Sequence, residues 1–130
     1  MISHDATDLR AQGANIVVVM SELGIHKDLK LGVVINSGAV DVIFSAHTHE
    51  LTRTPIATAS VTQVVEAGND IYVGQMDFQY DTVAKAIVSK QWKITEVTSD
   101  IPADPTVQAL VDEARSTFLG NKVKKKQLRT

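Results

Sequence analysis

The sequence predicts an α/β fold, and three observations carry that expectation. Asn15-Ile16-Val17-Val18-Val19-Met20 and Val40-Asp41-Val42-Ile43-Phe44-Ser45 are short apolar runs, each following a helix-forming segment. Continuous apolar runs of this length suit strands of a parallel sheet buried on both faces. From about residue 72 to 97 the pattern changes to alternation of apolar and polar residues. That alternation suits an antiparallel pair with one wet face. A last helical pattern begins at Pro105. The expected order is a parallel-type αβαβ first half, then antiparallel strands, then a C-terminal helix.

The elements follow from local chemistry. Asp5 to Gln12 is expected as a short helix, capped by Ser3 or Asp5 and stopped at Gly13. The strand through Met20 ends at Ser21-Glu22-Leu23-Gly24. Asp28 to Asn36 is the second helix, closed by Ser37-Gly38, and the strand from Val40 ends at Ala46-His47-Thr48-His49. Further strands are expected at Pro55-Ile56, Thr62–Ala67, Tyr72–Tyr80 and Ala86–Val97, the last two joined by a turn at Asp81-Thr82. Asp104 caps the final helix and Pro105 takes its first position, where a missing N–H costs nothing. Val107, Leu110, Val111, Ala114 and Phe118 form its apolar face, and Gly120 stops it. Trp92 and Phe118 are expected in core positions.

Composition excludes several classes of function. The chain has 130 residues and no Cys, which removes disulfide scaffolds, Cys-ligated zinc and thiol nucleophiles. A chain of this length buries roughly 65–70% of its unfolded surface, enough for a core. No apolar run approaches the ~20 residues of a membrane span. Met1-Ile2-Ser3-His4-Asp5 lacks the basic and apolar regions of a signal peptide. Residues 1–114 carry net charge −8 and residues 115–130 carry +6. An acidic body argues against a nucleic-acid polymer as partner. The basic end reads as a solvated tail, expected to be disordered.

His47 and His49 are the most informative residues. They follow an apolar strand two positions apart, and in extended backbone alternate side chains project to one side. Two imidazoles so placed can approach one divalent ion, or two ions ~3.5–4 Å apart. Glu22 follows the other apolar strand. If the two strands are neighbours, Glu22 emerges at the same sheet edge, where ligands bind in open α/β sheets. A carboxylate beside two imidazoles suits Zn, Mn or Fe. Glu22 is equally explained as a carboxylate favoured at a helix N-terminus. Arg53, four residues past His49, is a candidate phosphate contact or an ordinary loop cation. Glu66 ends a strand near the same edge, either as an acceptor orienting a metal-bound imidazole or as a solvent-facing carboxylate. Asp41 reads as a turn residue, His26 as structural or exposed, and Gly68-Asn69-Asp70 as a turn. Ser21 lacks the paired His and Asp of a serine hydrolase.

The run Gly13–Gly24, then Asp28, then Val40–His49 resembles the later half of the catalytic domain of the calcineurin-like metallophosphatases. The nearest group is the 5′-nucleotidases and 2′,3′-cyclic-nucleotide phosphodiesterases. The family shows a buried strand into Ser-His-x-Gly, a helix, then Asp-x-Ile into Gly-His-x-His. Val64-Val65-Glu66-Ala67-Gly68, Tyr72-Val73-Gly74 and Met76-Asp77 resemble its closing strands, and Ile101–Pro105 resembles the start of a linker helix. The resemblance spans about residues 9–118.

That resemblance implies a partial metallophosphatase sandwich over 1–104, a linker helix over 105–119 and a basic tail over 120–130. It implies a dinuclear centre of divalent ions (Mn, Zn, Fe or similar) with His47 and His49 as ligands. Glu22 stands where the family has a ligating His, and Ala46 where it often has Gly. The family's early motifs, Asp-x-His, Gly-Asp-x-x-Asp and Gly-Asn-His-Asp/Glu, do not occur, so no catalytic residue is assigned. The expected function is a fragment of a metal-dependent phosphoester hydrolase acting on nucleotides, inactive in isolation and self-associating through uncovered surface. The family implies a periplasmic or extracellular setting. The alternative is a non-catalytic metal-binding or oligomerising interaction module.

Overall fold

The computed structural model describes residues 1–119. The expected basic tail, 120–130, and the stop at Gly120 lie outside the described residues. The chain divides into two compact units, Met1–Val97 and Thr98–Thr130. Val97 still closes the second sheet, its N–H donating to the Ile71 carbonyl at 2.7 Å.

The first unit opens with α1 (Ile2–Ala11), β1 (Val18–Ser21), α2 (Ile25–Val34) and β2 (Val42–Ser45). Next come β3 (Ile56–Ala57), β4 (Gln63–Val65), β5 (Tyr72–Asp81) and β6 (Ala86–Glu96). The first sheet has the order β1-β2-β4-β3. β1, β2 and β4 are parallel, with Met20 opposite Phe44 and Phe44 opposite Val65; β3 runs antiparallel to β4. The expected α/β class is the one observed. β4 falls within the strand expected at Thr62–Ala67, but it pairs parallel to β2 instead of joining the antiparallel portion.

The core lies between the helices and one face of this sheet. Ala6, Val17, Ile25, Ile35, Val40, Ile43 and Val64 form it, each no more than 5% exposed. Arg10 Nη2 donates to Asp41 Oδ2 at 2.7 Å, and the Val17 N–H donates to the same oxygen at 2.8 Å. Asp41 therefore ties α1 to the entry of β1, which gives it a structural task beyond a turn.

Both early helices begin before their expected starts. α1 has Met1 at its N-cap with no side-chain cap. Ser3, expected to cap, accepts the Asn36 N–H instead. α2 starts at Ile25 because Gly24, at φ 87°, lets the chain turn directly out of β1.

β1 corrects a further expectation. Its apolar run predicts a strand buried on both faces, but it is the edge of the sheet, with Val18 43% and Met20 81% exposed. A β-branched run does not distinguish a central strand from an edge.

β5 and β6 form the expected antiparallel pair. Tyr72, Gly74, Met76, Phe78 and Tyr80 turn inward, while Val73 lies on the outer face. A register shift at Gln79/Tyr80 leaves Val88 outside the pairing and inverts the alternation of β6 there. Trp92 packs toward Phe44, with ring centroids 6.3 Å apart, and its Nε1–H donates to the Thr52 carbonyl at 2.7 Å. The hairpin turn is fixed by Asp81, whose carboxyl is held below the usual range by the Ala84 and Val83 N–H groups.

In the second unit, α3 (Pro105–Leu119) starts where Asp104 and Pro105 predict. Asp104 Oδ1 accepts the N–H groups of Thr106 at 2.8 Å and Val107 at 3.1 Å. Its apolar residues are not buried, and Phe118, expected in a core, is 84% exposed. No described helix is long and apolar enough to cross a membrane.

Candidate metal centre at the strand ends

The three parallel strands end in three successive parts of one pocket. β1 is followed by Glu22, β2 by Ala46-His47-Thr48-His49, and β4 by Glu66. Glu22, His47, His49 and Glu66 all line a pocket of about 320 Å³. Parallel pairing places these residues at one edge, because strands running the same way end at the same side. A larger pocket of about 530 Å³ lies at the opposite ends, near Asp41 and Gln63. It holds no His, and its Arg10 and Lys90 are engaged by Asp41.

Glu22 and His47 meet, with Glu22 Oε2 3.7 Å from His47 Nδ1. The His47 and Glu22 side chains are 69% and 79% exposed, so as an ion pair this contact is weak. Its value is positional. Two groups on strands adjacent in space hold their donor atoms near one point.

The His-x-His loop differs from its expected geometry. His47 and His49 are not in extended backbone but at φ 86° and φ 56°. Few non-glycine residues occupy this left-handed region, and it persists only where neighbours enforce it. Thr48 is the enforcing residue. Its Oγ1 accepts the Ile25 N–H at 3.1 Å and donates to Glu66 Oε2 at 2.7 Å. Its methyl group sits over Gly24, where a Cβ would approach Thr48 Cγ2 to 2.7 Å. Gly24 thus serves both the turn and this close approach.

Glu66 is 2% exposed, which removes the solvent-facing reading. Its backbone is fixed by Thr52: the Thr52 Oγ1 accepts the Glu66 N–H at 2.8 Å, and the Glu66 carbonyl accepts the Thr52 N–H at 3.0 Å. Glu66 Oε1 is buried with no partner among the described residues. The sequence singles out Glu66 at the end of its strand but not its partner Thr48, which is 18 residues away and joined to it only by folding. Arg53 is exposed and does not line the pocket, and His26 is exposed.

The donor chemistry fits a divalent cation: two imidazoles and two carboxylates, one of which has a buried oxygen with no partner among the described residues. Among the described residues, no three His, Asp or Glu side chains are already gathered around one point, so an ion would have to draw the exposed Glu22 and His47 side chains in. The chain presents part of a coordination shell.

No family model matches the chain, and no curated protein matches it. Solved structures do. The chain is similar to the sulfate thiohydrolase SoxB of Thermus thermophilus, solved in complex with glycerol, at 24% identity and a TM-score of 0.78. That similarity covers 90% of this chain and 21% of the other. It is also similar to a 5′-nucleotidase precursor from Thermus thermophilus, at 21% identity and a TM-score of 0.70, over 88% of this chain and 25% of the other. The chain therefore spans about a fifth to a quarter of the length of these proteins. The fold is that of a portion of each, as the resemblance to metallophosphatases implied.

Proposed function

We propose that this chain is a portion of a metal-dependent phosphoester hydrolase acting on nucleotides, contributing Glu22, His47 and His49 to a dinuclear divalent-metal centre. The observation that carries the reading is the convergence of Glu22 and the His-x-His loop at the carboxyl ends of β1 and β2. The similar proteins named above are both hydrolases by description, and one is a nucleotidase. When bound there, divalent ions supply Lewis-acid polarisation of a phosphoester. The residues of this chain present donors, hold the loop that carries them, and leave the pocket open to an anionic substrate. Arg53 is assigned a phosphate contact from outside the pocket. By the same resemblance the setting is periplasmic or extracellular.

The test is hydrolysis of bis(p-nitrophenyl) phosphate with Mn²⁺. The chain alone is expected to bind metal without turnover. Adding a polypeptide that bears Asp-x-His, Gly-Asp-x-x-Asp and Gly-Asn-His-Asp/Glu is expected to restore turnover, and His49→Ala to abolish it again. Turnover unaffected by His49→Ala would sink the reading. The rival, a non-catalytic metal-binding or oligomerising module, predicts metal binding and no hydrolysis under any complementation.

An oligomerising property is favoured by a separate observation. Among the described residues β1 pairs on one side only, and Val18 and Met20 are exposed along it. An unprotected apolar edge strand templates pairing with another chain. The chain is expected to sediment above monomer mass at high micromolar concentration, and Met20→Lys to return it toward monomer. A monomer at all concentrations contradicts this.

A further inference from the structure

We propose that Glu66 supplies the buried negative charge of this cation site, with Oε1 as the oxygen left to receive the ion. The inference rests on the metal-binding part of the proposed function and extends it to a residue outside the expected ligand set.

Burial and the missing partner make the case together. Glu66 is 2% exposed, and among the described residues no Lys, Arg or His forms an ion pair with it. A carboxylate taken out of water without a counter-charge costs several kcal/mol by general estimate. One hydrogen bond, from Thr48 to Oε2, offsets a fraction of that and leaves Oε1 orphaned. The pocket that Glu66 shares with Glu22, His47 and His49 is the place from which a cation can reach it. Asp28, the other acidic side chain with no exposed surface, offers the contrast. It also has an unpartnered oxygen, but it does not line the pocket.

The position of Glu66 is built rather than incidental. Its backbone is bonded on both sides to Thr52. Its other oxygen grips Thr48, which stands between the two left-handed histidines. The same carboxylate therefore shapes the imidazole loop with one oxygen and adds charge to the pocket with the other. A group fixed this firmly is pre-organised for an ion, so binding need not order it first.

Calorimetric titration of the full 130-residue chain with Mn²⁺ alone tests this. Glu66→Gln keeps an acceptor for Thr48 while removing the charge. It is expected to retain the far-UV circular dichroism of the wild type and to bind Mn²⁺ at least tenfold more weakly. The exposed neighbour Glu50→Gln is expected to bind within twofold of wild type. Equal affinity of Glu66→Gln and wild type overturns the proposal. If Glu66→Gln does not fold, the wild type decides by carbon NMR. Zn²⁺ should shift the Glu66 carboxyl carbon in step with the His47 and His49 rings, and an unmoved carboxyl overturns the proposal. Wild type that binds no metal overturns both this inference and the metal-centre reading. Metal binding that depends on Glu66 without restored hydrolysis supports this inference while overturning the proposed reaction.

Discussion

Gly74→Val is expected to destabilise the first unit by about 3 kcal/mol or more, the upper range for overpacking a filled site. Gly74 is inward-facing on β5, and the Trp92 ring lies where its side chain would be. A Cβ at Gly74 would meet Trp92 Cη2 in outright overlap and Cζ2 at 2.7 Å. The ring has little freedom to retreat, because its Nε1–H is bonded to the Thr52 carbonyl and the Phe44 ring lies tilted against it, 6.3 Å between centroids. In most strands Val improves on Gly by restricting the unfolded chain and filling the pleat. Here sterics reverse the sign. Natural domains have about 5–15 kcal/mol of stability, so the variant loses a large share of it. Trp92 is the only Trp in the chain, so urea unfolding followed by its fluorescence reads the hairpin directly. Trp92→Leu should cost less in the Gly74→Val background than in wild type, since the clash and the ring are one interaction. Wild-type stability in Gly74→Val would contradict the packing.

That pairing also marks what the sequence discloses and what it withholds. Signals that act within a few residues were legible. Asp104-Pro105 started α3 where expected, and the alternation after Tyr72 gave the antiparallel pair. The shared edge of Glu22 and His47 was also legible, because two parallel strands joined by a helix must end on the same side. Facts that depend on distant neighbours were not. The run from Asn15 to Met20 is apolar enough for a central strand, yet among the described residues no strand pairs with the outer side of β1. The inversion around Val88 follows from a register shift against β5, which the sequence of β6 alone does not encode. The same holds at the site. His-x-His announces itself, but the left-handed backbone of both histidines depends on Thr48, and Thr48 depends on Glu66 from another strand.

The largest functional effect is expected from the double variant His47→Gly with His49→Gly, which should lose metal binding by at least a hundredfold while remaining folded. Both imidazoles belong to the pocket rather than the core, and the His47 side chain is 69% exposed. Removing them deletes donors and little packing. Glycine is the informative replacement because both positions have positive φ, at 86° and 56°. It occupies that region without a Cβ penalty, so relief of backbone strain offsets its greater entropy in the unfolded chain. The metal-free variant should melt within a few degrees of wild type. The difference should emerge on adding Mn²⁺ or Zn²⁺. Ligand at a hundred times its dissociation constant stabilises a folded protein by about 2.7 kcal/mol, and wild type should show that rise. The variant should show no more than about 0.4 kcal/mol, and a chelator should return wild type to its metal-free melting point. A metal-free variant that unfolds would instead make the histidines structural. Equal metal stabilisation in both proteins would move the centre away from the ends of β1 and β2. The comparison thus reads the two consequences of this loop separately: its left-handed backbone through the metal-free melting point, and its imidazole donors through the metal-induced rise.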